Sequence, residues 1–171
     1  MSQQQPLAIL VSGLPGSGKT YFAKRLAPAL GACYFSTDVM RKTKTPDRTY
    51  SYAERASVYQ ELLDRVDKTL HAAQTVVMDA TFYKKELRDA FEQAAVRAMA
   101  KVVWIEVVAD EEVVKERLSH PREDSEADYA IYLKMKAEHE PIQETHLVLH
   151  SDQSSVEDMI GQTRAWLEGK Q

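Results

Sequence analysis

A single cysteine, Cys33, stands in the whole chain. No internal disulfide is open to it, which is the expectation for a reducing compartment. Its place in the apolar stretch Ala32–Ser36 reads as a small buried residue rather than a reactive thiol. Basic residues do not dominate either. Lys and Arg number 22 against 26 Asp and Glu, for a net charge of −4 and a pI near 5.8. That balance argues against broad, non-specific nucleic-acid binding, which usually shows a basic face. No run approaches the ~20 apolar residues of a membrane span. Met1–Pro6 lacks the basic region that opens a secretory signal, so the expectation is a cytoplasmic protein. No repeat, low-complexity tract or linker interrupts the 171 residues, and one domain over 1–171 is expected. Two shorter absences bear on function. There is no Asn-Lys-x-Asp sequence of the kind that reads guanine, and the residue after Asp79 is Ala80, not the water-activating Glu of motor-type ATPases.

What is present is an alternation of short apolar runs and helical patterns. Leu7–Ser12, Ala32–Ser36, Thr75–Asp79, Lys101–Ala109 and His146–His150 read as strands, the first as one buried on both faces. Between them, Lys19–Leu30, about Tyr52 to Ala72, Lys84–Met99 and a segment ending at Leu118 carry apolar residues at helical spacing. Gly31 suits a helix C-cap, Asp110 an N-cap, and Ser155-x-x-Asp158 a capping box before the last helix. A polar helix is expected near Ala127–His139, and Thr37–Ser51 reads as a polar loop or short irregular helix. Strands alternating with helices predict an α/β three-layer sandwich, a parallel sheet covered on both faces.

Gly13-Leu-Pro-Gly-Ser-Gly-Lys-Thr20 matches G-x-x-x-x-G-K-[ST] at every fixed position, after a strand and before a helix. The spacing has a chemical reason. Glycines at 13, 16 and 18, with Pro15 and Ser17 between, let backbone N–H groups turn inward around a phosphate at a helix N-terminus. Lys19 reaches β- and γ-phosphate oxygens, and the Thr20 hydroxyl takes a place on Mg²⁺. Asp79, ending the apolar run Val76-Val-Met, is the natural second metal ligand. The pattern points to ATP with Mg²⁺.

Asp38 falls just past the second strand, at the sheet edge where open α/β folds bind ligands. A carboxylate there can take a hydroxyl's proton during phosphoryl transfer; the competing reading is that Ser36-Thr-Asp38 only caps a helix. Arg41, three residues on, lies on the same side of a helical turn and suits an anionic group or the transferring phosphoryl. Arg117 and Arg122 bracket a charged stretch that could close as a lid over about 119–128, with Arg122, in the loop, as the preferred lid residue and Arg117 as a helix-surface alternative. Thr81, Phe82, Tyr83 and Arg88 are candidates for an acceptor pocket, Phe82 more naturally for the core. The histidines show no metal-ligand spacing and read as structural or surface residues.

Taken together, Gly13–Thr20, Ser36-Thr-Asp38-Val-Met-Arg41, Val76-Val-Met-Asp79-Ala-Thr-Phe82 with Arg88 beyond, and Arg117…Arg122-Glu-Asp-Ser-Glu-Ala-Asp128 resemble the zeta-toxin-like and polynucleotide-kinase-like P-loop kinases. That group belongs among AAA-type ATP-binding proteins, and the resemblance covers nearly the whole chain. It implies the strand order 2-3-1-4-5, dependence on ATP and Mg²⁺, Asp38 as general base, Arg41 toward an acceptor phosphate, and an arginine-bearing lid. The chain departs from several polynucleotide kinases at Asp79-Ala80-Thr81, where they carry an Asn-rich segment, and it has no phosphatase or ligase companion.

Three functions follow as expectations. The first is a kinase moving the γ-phosphoryl group of ATP to a hydroxyl of a small-molecule acceptor, with Lys19, Asp38, Arg41 and Arg122 as catalytic residues. The second is a polynucleotide 5′-hydroxyl kinase, and the third a nucleotide-dependent switch or weak ATPase.

Overall fold

The computed structural model describes residues 5–44, 52–121 and 127–169. Strands β1 (Leu7–Ser12), β2 (Cys33–Ser36), β3 (Val76–Asp79), β4 (Lys101–Val108) and β5 (His146–His150) form a five-stranded sheet in the order β2-β3-β1-β4-β5. Every pairing in it is parallel. Helices α1 (Lys19–Ala29), α2 (Thr37–Lys44), α3 (Tyr52–His71), α4 (Lys85–Arg97), α5 (Glu111–Leu118), α6 (Tyr129–Glu138) and α7 (Val156–Gly169) connect and follow the strands. This is the expected P-loop NTPase sandwich, with the strand order that the resemblance implied.

Helices cover both faces, which is why β1 reads as an unbroken apolar run rather than an alternating one. On one face Leu62, Val66 and Phe91 pack against Leu10, Met78 and Trp104. On the other, Phe22, Leu26 and Met159 pack against Ile9, Val77 and Ile105. A smaller cluster of Val114, Leu118 and Tyr132 joins α5 and α6 beneath Leu14 of the phosphate loop.

Helix ends follow local chemistry. Gly31 (φ 63°) lets the Gly31 and Ala32 N–H groups close back on the Pro28 and Ala27 carbonyls at 3.2 and 2.9 Å, a Schellman ending that the glycine permits. Ser155 Oγ accepts from the Asp158 N–H at 3.1 Å and its hydroxyl donates to Asp158 Oδ2 at 2.7 Å, half of the expected capping box. Asp110 departs from expectation: its carboxylate makes no capping bond to α5. Its own N–H donates to Asp152 Oδ2 at 3.2 Å, so the residue is committed to the β5–α7 loop. Thr37–Lys44 is a helix, one of the two readings expected of Thr37–Ser51, with the Val39 N–H 3.5 Å from Ser36 Oγ at its start; 45–51 lie outside the described residues. Cys33 is half-buried at the sheet's far edge rather than fully enclosed.

The turn from β3 into α4 is where the core meets the cleft. Phe82 adopts a left-handed backbone, φ 48°, and its fully buried ring meets Trp104 and Phe91 edge-on, centroids 5.1 and 5.4 Å away. As the sequence favoured, Phe82 is core. Arg88 corrects its expectation. It is 3% exposed, and its guanidinium donates to the carbonyls of Phe82 and Glu140 at 2.8 Å and of Pro141 at 3.1 Å. An arginine expected in an acceptor pocket instead fastens the β3–α4 turn to the segment before β5. Arg88→Met leaves those carbonyls without a buried donor, and we expect chemical denaturation to show a loss of about 3 kcal/mol.

Candidate active site

Parallel strands bring all their C-terminal ends to one edge, and the residues flagged by the sequence collect there. Gly13 follows β1 directly. A Cβ on it would lie 2.4 Å from Ser17 Oγ and 2.7 Å from the Val107 carbonyl, so only glycine lets the loop turn so tightly against β4. The Ser17 N–H donates to the Leu14 carbonyl at 3.1 Å to close the turn. Gly18, at φ 91°, is the N-cap of α1 and contributes no side chain to it. The first N–H groups of α1 therefore face the cleft, a ready anion site. Ser17 Oγ is buried without a hydrogen-bond partner, and Lys19 is buried to 7% exposure beside the loop.

Asp79 ends β3 one strand away, paired in register with Val11 and Ser36. It is 1% exposed, and the Tyr34 hydroxyl donates to its Oδ2 at 2.8 Å. Burial pushes its carboxyl above the ordinary range, while the Lys19 ammonium, the Thr20 hydroxyl and Tyr34 draw it back down and Asp38 raises it. Its other oxygen, Oδ1, is buried with no hydrogen-bond partner. A hard cation suits that orphaned oxygen together with the Thr20 hydroxyl, since Mg²⁺ is bound through oxygen by one or two protein groups plus phosphates and water. The donor set fits the ion that the loop motif implies.

Asp38 and Arg41, in successive turns of α2, pair at 3.4 Å with side chains 20% and 13% exposed. The helix cap is Ser36, so Asp38 is not needed for that task. Beneath them stands a residue the sequence did not single out for the cleft. Tyr59 of α3 is buried, and its phenol is pushed up to about 12 by that burial. Thr81, Arg41 and the Phe82 backbone lower it, and Asp38 raises it. It therefore stays a neutral donor at the junction of α2 and the β3–α4 turn. In the sequence it is indistinguishable from the other apolar-face residues of α3.

On the opposite flank, Arg117 is not a solvated surface residue. Its guanidinium donates to the Gly16 carbonyl at 3.1 Å and to Ser151 Oγ at 2.9 Å, and the Ser151 hydroxyl donates to the Ser17 carbonyl at 2.5 Å. Together they brace the phosphate loop from outside. Ser151 carried no sequence signal, because it meets the loop only through the order of β4 and β5. Arg122 lies outside the described residues, as does the rest of 122–126 within the proposed 119–128 lid. Glu106 of β4, with His139 and His146 beside its carboxylate at 3.8 and 3.5 Å, completes the edge. Among the described residues no helix is long and apolar enough to cross a membrane.

Comparison with known proteins fits this geometry. Residues 9–142 match the model of the AAA domain family. The chain belongs to that family. It is 36% identical over 106 residues to the cytidylate kinase of Aeropyrum pernix, a match covering 57% of this chain and 59% of that protein. Matches to uncharacterized mycobacterial relatives cover only 24% of their length, so the chain spans less than two thirds of the curated relatives it matches. In structure it is similar to a candidate kinase from Chloroflexus aurantiacus (TM-score 0.78, 21% identity, 97% of this chain and 98% of that one). It is also similar to the Mycobacterium tuberculosis APS kinase solved with AMPPNP and APS (TM-score 0.71, 19% identity, 96% and 98% covered). At these identities the solved structures establish a shared fold.

The raised Asp79 carboxyl sets a pH dependence. A carboxyl that holds its proton more tightly when folded contributes stability below the ordinary carboxylate range and loses it as pH rises through the raised value. Asp79→Asn removes that loss. Without nucleotide, its thermal midpoint should exceed the parent's at mildly alkaline pH and approach it in acid, while Mg²⁺-dependent binding of an ATP analogue weakens.

Proposed function

We propose that this protein transfers the γ-phosphoryl group of ATP to a hydroxyl of a small-molecule acceptor, with Asp38 as general base. The observation that carries the reading is the pairing of two carboxylates across one sheet edge. Asp79, buried with an orphaned oxygen, faces the phosphate loop, while Asp38 stands one strand further out and is not committed to a helix cap. Kinase chemistry needs that division, one carboxylate for the metal and one for the acceptor's proton.

In this reading the N–H groups of Gly13–Thr20 and Lys19 hold the β- and γ-phosphates, and Thr20 and Asp79 hold Mg²⁺. The ion would neutralise charge on the phosphate oxygens. Asp38 takes the acceptor hydroxyl's proton, the oxygen–phosphorus bond forms, and the bond from γ-phosphorus to the bridging oxygen breaks, leaving ADP. Arg41 both orients Asp38 and offers charge to the transferring group. Arg117 contributes from the opposite flank, and Arg122 is kept from the sequence as the proposed lid arginine. The match to a cytidylate kinase and the kinase-type fold support phosphotransfer, and Ala80 after Asp79 gives water no activating carboxylate. The acidic balance of the chain favours a metabolite over a nucleic-acid end. The Asp38–Arg41 pair, which resembles that of polynucleotide kinases, keeps a 5′-hydroxyl oligonucleotide in the test.

The protein should move label from γ-labelled ATP to one member of a panel of sugars, polyols, nucleosides, aminoglycosides and 5′-hydroxyl oligonucleotides. Asp38→Asn should lower kcat by about 10²–10⁴-fold with nucleotide affinity nearly intact. Label released only as free phosphate, equally in both proteins, would replace the kinase with a nucleotide switch. Labelling confined to oligonucleotide ends would replace the small-molecule acceptor.

A further inference from the structure

β4 carries a charged residue where its neighbours are apolar. Val103, Ile105 and Val107 are buried against α1 and α7, and Trp104 packs on the α3–α4 side. Alternation along the strand then turns Glu106 to the α3–α4 side. Its partner across the ladder is Ser12, the last residue before the phosphate loop. Ser12 faces the same side, and its hydroxyl donates to the Thr81 carbonyl at 2.9 Å. Glu106 is thus at the C-terminal edge, on the face that also carries Tyr59 and Thr81, one residue from the carbonyl that crowds Gly13.

A carboxylate here is partly desolvated, and the ionic partners beside it among the described residues are two histidines, which pair with it only when protonated. His146 Nε2 is 3.5 Å from one oxygen and His139 Nε2 is 3.8 Å from the other, longer than a good hydrogen bond, and each of the three side chains is about a fifth exposed (20–21%). The Glu144 carbonyl, 2.7 Å from His146 Nδ1, can only accept, so that ring is fixed with a hydrogen on Nδ1 and Nε2 turned to Glu106. His139 is drawn toward its neutral form by burial, and by the nearby Arg88, although Glu106 opposes them and Glu140 too. The two terminal nitrogens of Arg88 are occupied by three backbone carbonyls, and its Nε is enclosed in the protein without a partner. What faces the cleft is a carboxylate with accepting capacity, flanked by two imidazole edges, and no guanidinium available to an anion from Arg88.

We infer that Glu106, His139 and His146 form an acceptor-recognition subsite for a hydroxyl-rich group that carries no phosphate, sulfate or carboxylate. The inference rests on the phosphotransfer reading and sharpens its acceptor. A hydroxyl can donate to a Glu106 oxygen while accepting from an N–H of His139, and an adjacent hydroxyl can donate to His146 Nε2, which carries no hydrogen in the tautomer set by Glu144. An anionic substituent would meet Glu106 at close range in a partly desolvated site, which is a rejection mechanism in itself.

The test uses the full chain loaded with a non-hydrolysable ATP analogue and matched pairs of ligands: sugars and polyols against the corresponding sugar acids and sugar phosphates. Binding is read from the imidazole proton NMR signals of His139 and His146, assigned with His139→Gln and His146→Gln. A neutral polyhydroxyl ligand should shift both signals while its anionic counterpart shifts neither. In γ-labelled ATP assays Glu106→Gln should raise KM for the accepted ligand by about ten- to a hundredfold, with little change in affinity for the ATP analogue. A neutral ligand that shifts the signals without accepting label would retain the subsite and sink the kinase reading. Label moving equally to anionic acceptors, an unchanged KM in a Glu106→Gln protein of parental thermal stability, or signals unmoved by every polyhydroxyl ligand would each overturn the subsite.

Discussion

A carboxylate that the protein alone does not fully solvate organises the cleft. Asp79 is enclosed by β1 and β2 and bonded at one oxygen by Tyr34, while the other oxygen is left empty-handed. Burying a charge without complete pairing is costly, and here the deficit is placed next to Lys19 and Thr20 of a glycine loop. A bound cation, as proposed, would supply the remaining compensation. Each neighbouring feature serves that placement: β3 lies between β2 and β1 so that Tyr34 reaches inward, and α1 begins at Gly18 so that its N-terminus and Thr20 face the same spot.

The phosphate loop needs rigidity as much as charge, because a cradle that relaxes would collapse onto its own unpaired groups. Rigidity comes from two sides. Beneath, Val114 and Leu118 approach to 3.0 and 3.1 Å of where a Gly16 Cβ would stand. Outside, Arg117 and Ser151 hold the Gly16 and Ser17 carbonyls. These carbonyls point away from the phosphate site, so binding them leaves the opposing N–H groups free to turn inward. Arg117 therefore acts on the loop whether or not it also touches nucleotide, and its positive charge stays close to the site.

Much of this was legible in the sequence, and the reason is local. Short apolar runs, the glycine spacing, Gly31 as a helix stop and Asp79 at a strand end are signals carried within a few residues of each other. Strand order came from family resemblance, since nothing local distinguishes 2-3-1-4-5 from another parallel order. What escaped was decided across the fold. Ser151 meets Ser17 over a sequence distance of 134 residues. Tyr59 looks like any apolar-face residue of α3. Arg88 carries the same letter whether it binds a ligand or three carbonyls, and only its 3% exposure separates the two. Asp110 stands at the N-cap of α5 as propensity suggests, yet its carboxylate makes no capping bond, and only its N–H is engaged, by Asp152.

The two flanks of the edge thus differ in electrostatic character. Toward α5 the described groups are arginine, serine and backbone, suited to holding phosphate oxygens. Toward α2 and α3, on the face that also carries Glu106 and the two histidines, they are Asp38 and Tyr59, with Arg41 paired to Asp38 and two nitrogens of Arg88 taken by carbonyls. A site built to hydrogen-bond a hydroxyl discriminates by what happens when the hydroxyl is missing, because its own buried polar groups are then left unpaired. In the proposed reading Glu106, with no short hydrogen bond to its histidine neighbours, would exact that penalty. On the same reading an acceptor with many hydroxyls and no anionic group would satisfy this flank, while the negative charge of the reaction stays with the nucleotide on the other. That separation of charge, anions toward the loop and hydroxyls toward α3, suits, in the proposed reading, a phosphoryl transfer between unlike partners.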